Sequence, residues 1–337
     1  MRRAIWIFAP ILLLLVVISR TAELNTLARI LLTAHPGWLV AALGLQVVFA
    51  LNQGAFYQAV FRLLDTAVSL GTAVWLALVM AFGSLATPVG ATAGVAFFVV
   101  AARDRGLSPS RALLASLSYY FFDYAALLVV LLAGAAVQLV QRDLQPSQLT
   151  ALVVFAAVMA SGTGLAIRLI AVPTALSRWM MRMAGVLNWV SRGLRRPPAI
   201  SRERLARWVH EVQEVVAAVR ARPRHALRPA LHALGVQAVG LATLSVVFRA
   251  IGEALPPGVL VAGYAVGTFL MIVSITPSGA GVTEGGMIVT FSSLGVPLET
   301  AVAGALLFRL VAFWLPMVAG FLSLHAYPAR ASGGGSA

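Results

Sequence analysis

Thr276-Pro277-Ser278-Gly279-Ala280-Gly281-Val282-Thr283-Glu284 cuts through an apolar segment of about 257–294, and Thr87-Pro88-Val89-Gly90 cuts through another of about 69–101. Proline removes a backbone donor and glycine loosens the backbone, so each stretch breaks a helix that its flanks would otherwise continue. The two Thr-Pro-x-Gly motifs stand 189 positions apart. At the same offset Gly106, which opens Gly106-Leu107-Ser108-Pro109, aligns with Gly295 in Gly295-Val296-Pro297-Leu298, and Ala112 aligns with Ala301. Each half therefore reads as apolar limb, break, short apolar limb, polar turn and long span. One shared proline is a cheap coincidence; a shared spacing over several positions marks an internal repeat.

Outward from these breaks the chain stays apolar. Of its 337 residues 60% are hydrophobic and 11% charged, with a mean hydropathy of +0.92. Soluble domains carry about 25% charged residues, so most of this surface faces something other than water. Runs of about 18 apolar residues or more mark bilayer-spanning helices. They predict spans at about 4–19, 37–61, 113–140, 147–170, 226–251 and 299–324, besides the two broken segments. The start Met1-Arg2-Arg3 followed by Ile11–Ile18 has the outline of a signal peptide. No small-x-small cleavage site precedes Arg20, so it reads as an uncleaved first span.

The expected organisation is a first membrane repeat (1–172), a basic stretch of cytoplasmic amphipathic helices (173–225), a second membrane repeat (226–330) and a flexible tail (331–337) of Gly/Ser linker composition. In the basic stretch Leu205, Trp208, Val209, Val212, Val215, Val216 and Val219 follow helical spacing. Arginine with tryptophan on such helices suits an anionic membrane surface; a structural linker packed on the spans fits equally.

Topology follows from charge. A limb of about 18 residues rises roughly 27 Å, nearly the whole hydrocarbon core, and the short return limb roughly 18 Å. If each broken segment re-enters and leaves on the side it entered, Arg2, Arg3, Arg62, Arg103, Arg105, Arg111, Arg168, the basic stretch and Arg330 fall on one side. Only Arg20, Arg29, Arg142 and Arg249 fall on the other. A full crossing would put the basic stretch outside, against the positive-inside tendency. The hairpins then enter from opposite faces. The fold expected is all-α: a polytopic membrane protein of two inverted repeats, each with a Pro/Gly-broken re-entrant hairpin, with both termini cytoplasmic.

The formal charge of +14 comes from 25 arginines, with no lysine and no cysteine. Without lysine there is no P-loop amine and no Schiff base; without cysteine there is no thiolate catalysis or disulfide. Five scattered histidines form no H-x-x-x-H pair, so no metal site and no cofactor is expected. Because the arginines sit beside spans, the charge reads as a topological signal and not as nucleic-acid binding.

Ionisable residues inside spans are functional candidates by default. Asp123 and Arg309 each lie about ten residues into a span, roughly 15 Å deep and one in each half, and Glu284 directly follows the second break. A buried ion pair holding the halves together is the bland alternative. Asn52 and Gln53 read as interhelical hydrogen-bonders. For a lipid headgroup the candidates have distinct jobs: arginine binds phosphate bidentately, and a carboxylate receives an ammonium or hydroxyl. The glycines at 279, 281, 285 and 286 let backbone approach a ligand and free N–H groups for anions.

The run Thr276 to Glu284, with Leu294-Gly295 and Ala305-Leu306-Leu307-Phe308-Arg309, resembles the signature of the lysylphosphatidylglycerol synthetase transmembrane (flippase-like) family. Thr87-Pro88-Val89-Gly90, Arg105-Gly106-Leu107-Ser108 and Asp123 resemble its companion motif. The resemblance covers essentially the whole chain, and Pro88, Pro277, Gly279, Gly281, Glu284 and Arg309 match the shared motif. It implies translocation of an anionic, aminoacylated or polyprenyl-linked lipid across a bacterial or archaeal cytoplasmic membrane, with membrane lipids as partners and room for a homo-oligomer. The synthetase enzymes add a soluble aminoacyltransferase domain after the spans; this chain ends without one, so no enzyme is expected. Two other readings remain open: an intramembrane lipid-modifying enzyme with Asp123 or Glu284 as base, and a secondary transporter of a small solute.

Overall fold

The computed structural model describes residues 30–87, 90–141, 223–274 and 279–326, with isolated positions between 157 and 182. The expected span at 4–19, most of that at 147–170 and of the basic stretch, the tail 331–337, and Pro88, Thr276, Pro277 and Ser278 lie outside the described residues. Among those described there is no strand. The first half contributes α1 (Pro36–Leu63), α2 (Leu70–Ala86), α3 (Ala91–Arg103) and α4 (Pro109–Gln141). The second contributes α5 (Pro223–Ala250), α6 (Pro257–Val273), α7 (Val282–Ser293), α8 (Leu298–Arg309), a π-helical turn (Leu310–Trp314) and α9 (Leu315–Ala326).

The sequence marks these starts and stops. Four of the helices begin at proline, whose missing N–H is an orphan in the first turn anyway and whose φ is already helical. Four ends close with the same bond from the residue after the turn back to the last helical turn. Thr66 N–H donates to Phe61 O (2.9 Å), Leu107 to Ala102 (3.0 Å), Glu253 to Phe248 (3.0 Å) and Val296 to Phe291 (3.0 Å). The residue before each donor takes positive φ: Asp65 (48°), Gly106 (76°), Gly252 (89°) and Gly295 (86°). The caps pair off between halves, α1 with α5 and α3 with α7.

Both broken segments are antiparallel helical hairpins. In the first, Gly94 packs against Ser84 near the tip, and Arg105 lies 4.3 Å over the Trp75 ring at the open end. In the second, Leu270 faces Gly286, Gly267 faces Met287, and Gly263 faces Phe291, so numbers fall on one limb as they rise on the other. Each of these glycines seats a neighbouring side chain where a Cβ would collide. The helix ends refine the sequence alignment. Ala86 and Val273 end the first limbs, but Gly90 caps α3 and Gly281, not Gly279, caps α7. The second tip is four residues longer, because a short turn around Gly279 is inserted before α7.

The halves cross over each other. α1 and α5 run antiparallel: His35 N–H donates to Ala250 O at 2.8 Å, and Asn52 meets His232 further along. Each hairpin's first limb packs on a long helix of the other half, α2 on α9 and α6 on α4. Gly320 fits directly against the Leu78 carbonyl, and Gly134 against Val261. Arg111 donates to Thr66 at 2.8 Å, so the first hairpin opens at the end that carries Arg62, Arg103 and Arg111. The second opens at the other end, where Phe291 meets Phe248 edge to face (4.9 Å) and Arg249 covers Trp38.

Pro36–Leu63, Pro109–Gly134, Arg224–Ala250 and Leu298–His325 are long and apolar enough to cross a membrane. Their outer faces are apolar too: Val40, Leu43, Val47 and Leu51 line one exposed stripe of α1 at helical spacing. A soluble protein would have filled such a stripe with charge. The chain is an all-α, multi-pass membrane protein.

Candidate functional site

Between the two hairpins lies a cavity of about 250 Å³, lined from both halves by every helix named above except α3. Asp123, Glu284 and Arg309, picked out by sequence as intramembrane charges, all face it. Asp123 sits near the middle of its span and Arg309 eleven residues into its own, about 17 Å deep.

Glu284 and Arg309 form a buried ion pair. Arg309 Nε lies 2.8 Å from Glu284 Oε1, and their side chains are 7% and 6% exposed. The other carboxylate oxygen, Oε2, accepts the Gly281 N–H at 2.7 Å. This closes a capping box: Glu284 is the third residue of α7, where a carboxylate satisfies an orphan N–H and meets the positive end of the helix. Gly281 takes φ of 77° to aim its N–H inward. Arg309 also lies 4.0 Å over the Phe313 ring. The pair therefore lies within the second half, so it is not the ion pair between halves that was the bland alternative.

The last span, expected at about 299–324, is present as Leu298–His325 and contains a π-helical turn just after Arg309. Pro316 lacks an N–H, and its ring would strike the carbonyl of Ala312, so the turn Leu310–Trp314 widens to π-helix. The widened turn sits beside the ion pair and helps line the cavity.

Asp123 supplies the tie between halves. Gln237 Nε2 on α5 donates to Asp123 Oδ1 at 2.8 Å, and Gln237 Oε1 accepts from the Tyr264 hydroxyl of α6 at 3.0 Å. No cation partners Asp123 among the described residues. Gln237 is 2% exposed, so the chain Tyr264–Gln237–Asp123 is a satisfied buried network.

At the tips, Thr87 Oγ1 donates to the Gly83 carbonyl at 2.9 Å, which satisfies a group that the break would orphan. Gly90 (φ 51°) caps α3 and stays outside the cavity lining. Gly279 (φ 70°) packs against Thr283, whose hydroxyl is buried without a hydrogen bond among the described residues. Of the two polar residues on α1, Asn52 bonds across to His232 as expected (2.7 and 2.8 Å). Gln53 instead faces the cavity. Sequence reasoning missed Gln237, Tyr264, Gln46 and Thr283; the signal was there in polar side chains inside otherwise apolar spans, weaker than a formal charge.

The sequence matches, over residues 4–320, the family described as the lysylphosphatidylglycerol synthase transmembrane region, and the chain belongs to it. No curated protein matches it significantly.

Proposed function

We propose that this member of the lysylphosphatidylglycerol synthase transmembrane family moves lipids between leaflets of a bacterial or archaeal cytoplasmic membrane, with the central cavity as the headgroup path. The carrying observation is that cavity: charged and polar groups from both halves gather around one space inside an apolar bundle. Placing ionisable groups at that depth is costly and is kept for a task. The antiparallel pairing of α1 with α5, and the hairpins that open at opposite ends, support reading the halves as inverted repeats around a midplane site. The arginine-rich end would then face the cytoplasm.

In this reading Glu284 occupies, as the protein's own anion, the place a lipid phosphate would take. Arg309 and the Gly281 N–H are both donors suited to phosphate. A headgroup entering the cavity displaces the carboxylate, contacts the arginine and leaves when Glu284 returns, while the acyl chains stay in lipid. Because Glu284 is committed to Arg309 and Gly281, it is poorly placed to act as a free base, which favours translocation over lipid modification. No ATP motif is present, so movement runs downhill or is coupled to an ion.

The test is reconstitution into phosphatidylethanolamine–phosphatidylglycerol vesicles that carry fluorophore-labelled lipid, with leaflet exchange read by quenching of the outer label. The full-length protein should exchange label faster than empty vesicles, and Glu284→Gln and Arg309→Ala should lose that gain. Equal exchange in all four samples would sink the proposal.

A further inference from the structure

Among the described residues the cavity holds one carboxylate without a cation, and its hydrogen bonds dictate where a proton can go. The Tyr264 hydroxyl donates to Gln237 Oε1, and the amide presents its Nε2 hydrogens to Asp123. Gln237 Nε2 then donates to Oδ1 (2.8 Å) and lies 3.3 Å from the Asp123 main-chain carbonyl. In this arrangement Oδ1 is held as an acceptor by Nε2, which leaves Oδ2 to receive a proton. Asp123 itself lines the cavity.

We propose that Asp123 is a proton-carrying site that couples lipid translocation to a proton gradient. The inference rests on the lipid-translocation reading and adds an ion to it. The step is a proton transfer alone. Oδ2 takes a proton from water at one face and becomes a neutral carboxyl; it later returns that proton to water at the other face. No other bond changes.

Charge balance supplies the coupling. Glu284 and Arg309 neutralise each other, so the ionised cavity carries one net negative charge from Asp123. Closing a cavity around an uncompensated charge is disfavoured, whereas protonation makes it neutral. Among the described residues no cation beyond the paired Arg309 lines the cavity. Tyr57 on α1, Tyr119, Tyr120 and Tyr124 on α4, and Tyr264 on α6 are the titratable groups in electrostatic reach. Glu284 and Arg309 face it across the cavity from α7 and α8, α5 presents Gln237, and α3 contributes no cavity residue. His232 on α5 is turned to Asn52 instead.

The experiment uses the full chain in the same vesicles, with valinomycin and potassium to clamp voltage. The readout is the ratio of exchange rates with and without a pH difference. A difference of about one unit changes proton availability about tenfold and should move the ratio by about threefold or more. Asp123→Asn should bring the ratio to one whatever its absolute rate, and Asp123→Glu should keep a ratio above one with a displaced pH profile. Exchange by the parent that ignores the gradient overturns the coupling and leaves translocation standing. A gradient response that survives in Asp123→Asn also overturns it. No exchange by the parent overturns both.

Discussion

The two hairpin tips share a scaffold and differ in chemistry. Both end a 17-residue limb, turn, and restart on a glycine-capped helix that packs back on the first. In the first half, the third residue after the cap is Ala93, and the following long helix reaches the tip with Tyr120. Its hydroxyl lies 3.4 Å from Ser84 Oγ and 3.5 Å from the Ala91 carbonyl. In the second half the corresponding cap position is Glu284, and the corresponding helix offers Arg309, 2.8 Å away. A neutral tip faces a charged one. Asp123 reverses the asymmetry, since its counterpart 189 positions on is Ala312. The architecture is duplicated while the charge is distributed unequally. A symmetric cage would bind a symmetric ligand, whereas this one, if it is the headgroup path we propose, suits a headgroup with distinct ends.

The largest effect should come from breaking the charged tip. Removing one partner of a buried ion pair leaves the other uncompensated, at a cost of about 3–5 kcal/mol. Arg309→Ala is therefore expected to lower the unfolding midpoint in detergent strongly and to abolish exchange. Glu284→Gln combined with Arg309→Met should recover much of the stability but none of the exchange. If the double variant exchanges lipid, the pair is structural and the comparison loses its meaning.

Next comes the seam between the halves. Gly320 lies against the Leu78 carbonyl, so Gly320→Ala must push α9 away from α2. Overpacking of that kind costs about 1–3 kcal/mol, read as a lower midpoint. Gly44 has open space around it, and Gly44→Ala should leave the midpoint in place. A smaller loss is expected for Gln237→Leu. Interhelical hydrogen bonds inside membranes average about 0.6 kcal/mol, yet the variant frees Asp123 and should alter the pH profile of exchange more than it alters stability.

Much of this was legible in sequence for physical reasons. The apolar runs, the Thr-Pro-x-Gly breaks with their offset of 189 and the arginine bias pointed to the spans and the hairpins. Asp123, Glu284 and Arg309 stood out because charge in an apolar run has few innocent explanations. What stayed hidden depends on which faces meet. The spacing of Glu284 and Arg309 does not reveal that they pair, because 25 residues and a turn separate them. The alignment of Gly90 with Gly279 followed the Thr-Pro-x-Gly motif, whereas the helix caps follow Gly281, and no periodicity inside a broken tip distinguishes the two. Gln237 carries no charge, so only its contact with Asp123 gives it weight.

The smallest effect is the most discriminating. Tyr120→Phe removes a hydroxyl whose contacts, at 3.4 and 3.5 Å, are at the edge of hydrogen-bond range. Loss of so weak a bond costs less than the usual contribution of about 1 kcal/mol. The ring itself stays packed against Tyr119 and Tyr124. Tyr120→Phe should therefore leave the unfolding midpoint close to the parent's and exchange largely intact, even though Tyr120 occupies the place that Arg309 holds in the other half. Should Tyr120→Phe instead match Arg309→Ala in lost exchange, the first tip would also grip the headgroup through its hydroxyl. The unequal distribution of charge would then be incidental, with two gripping tips working at opposite faces.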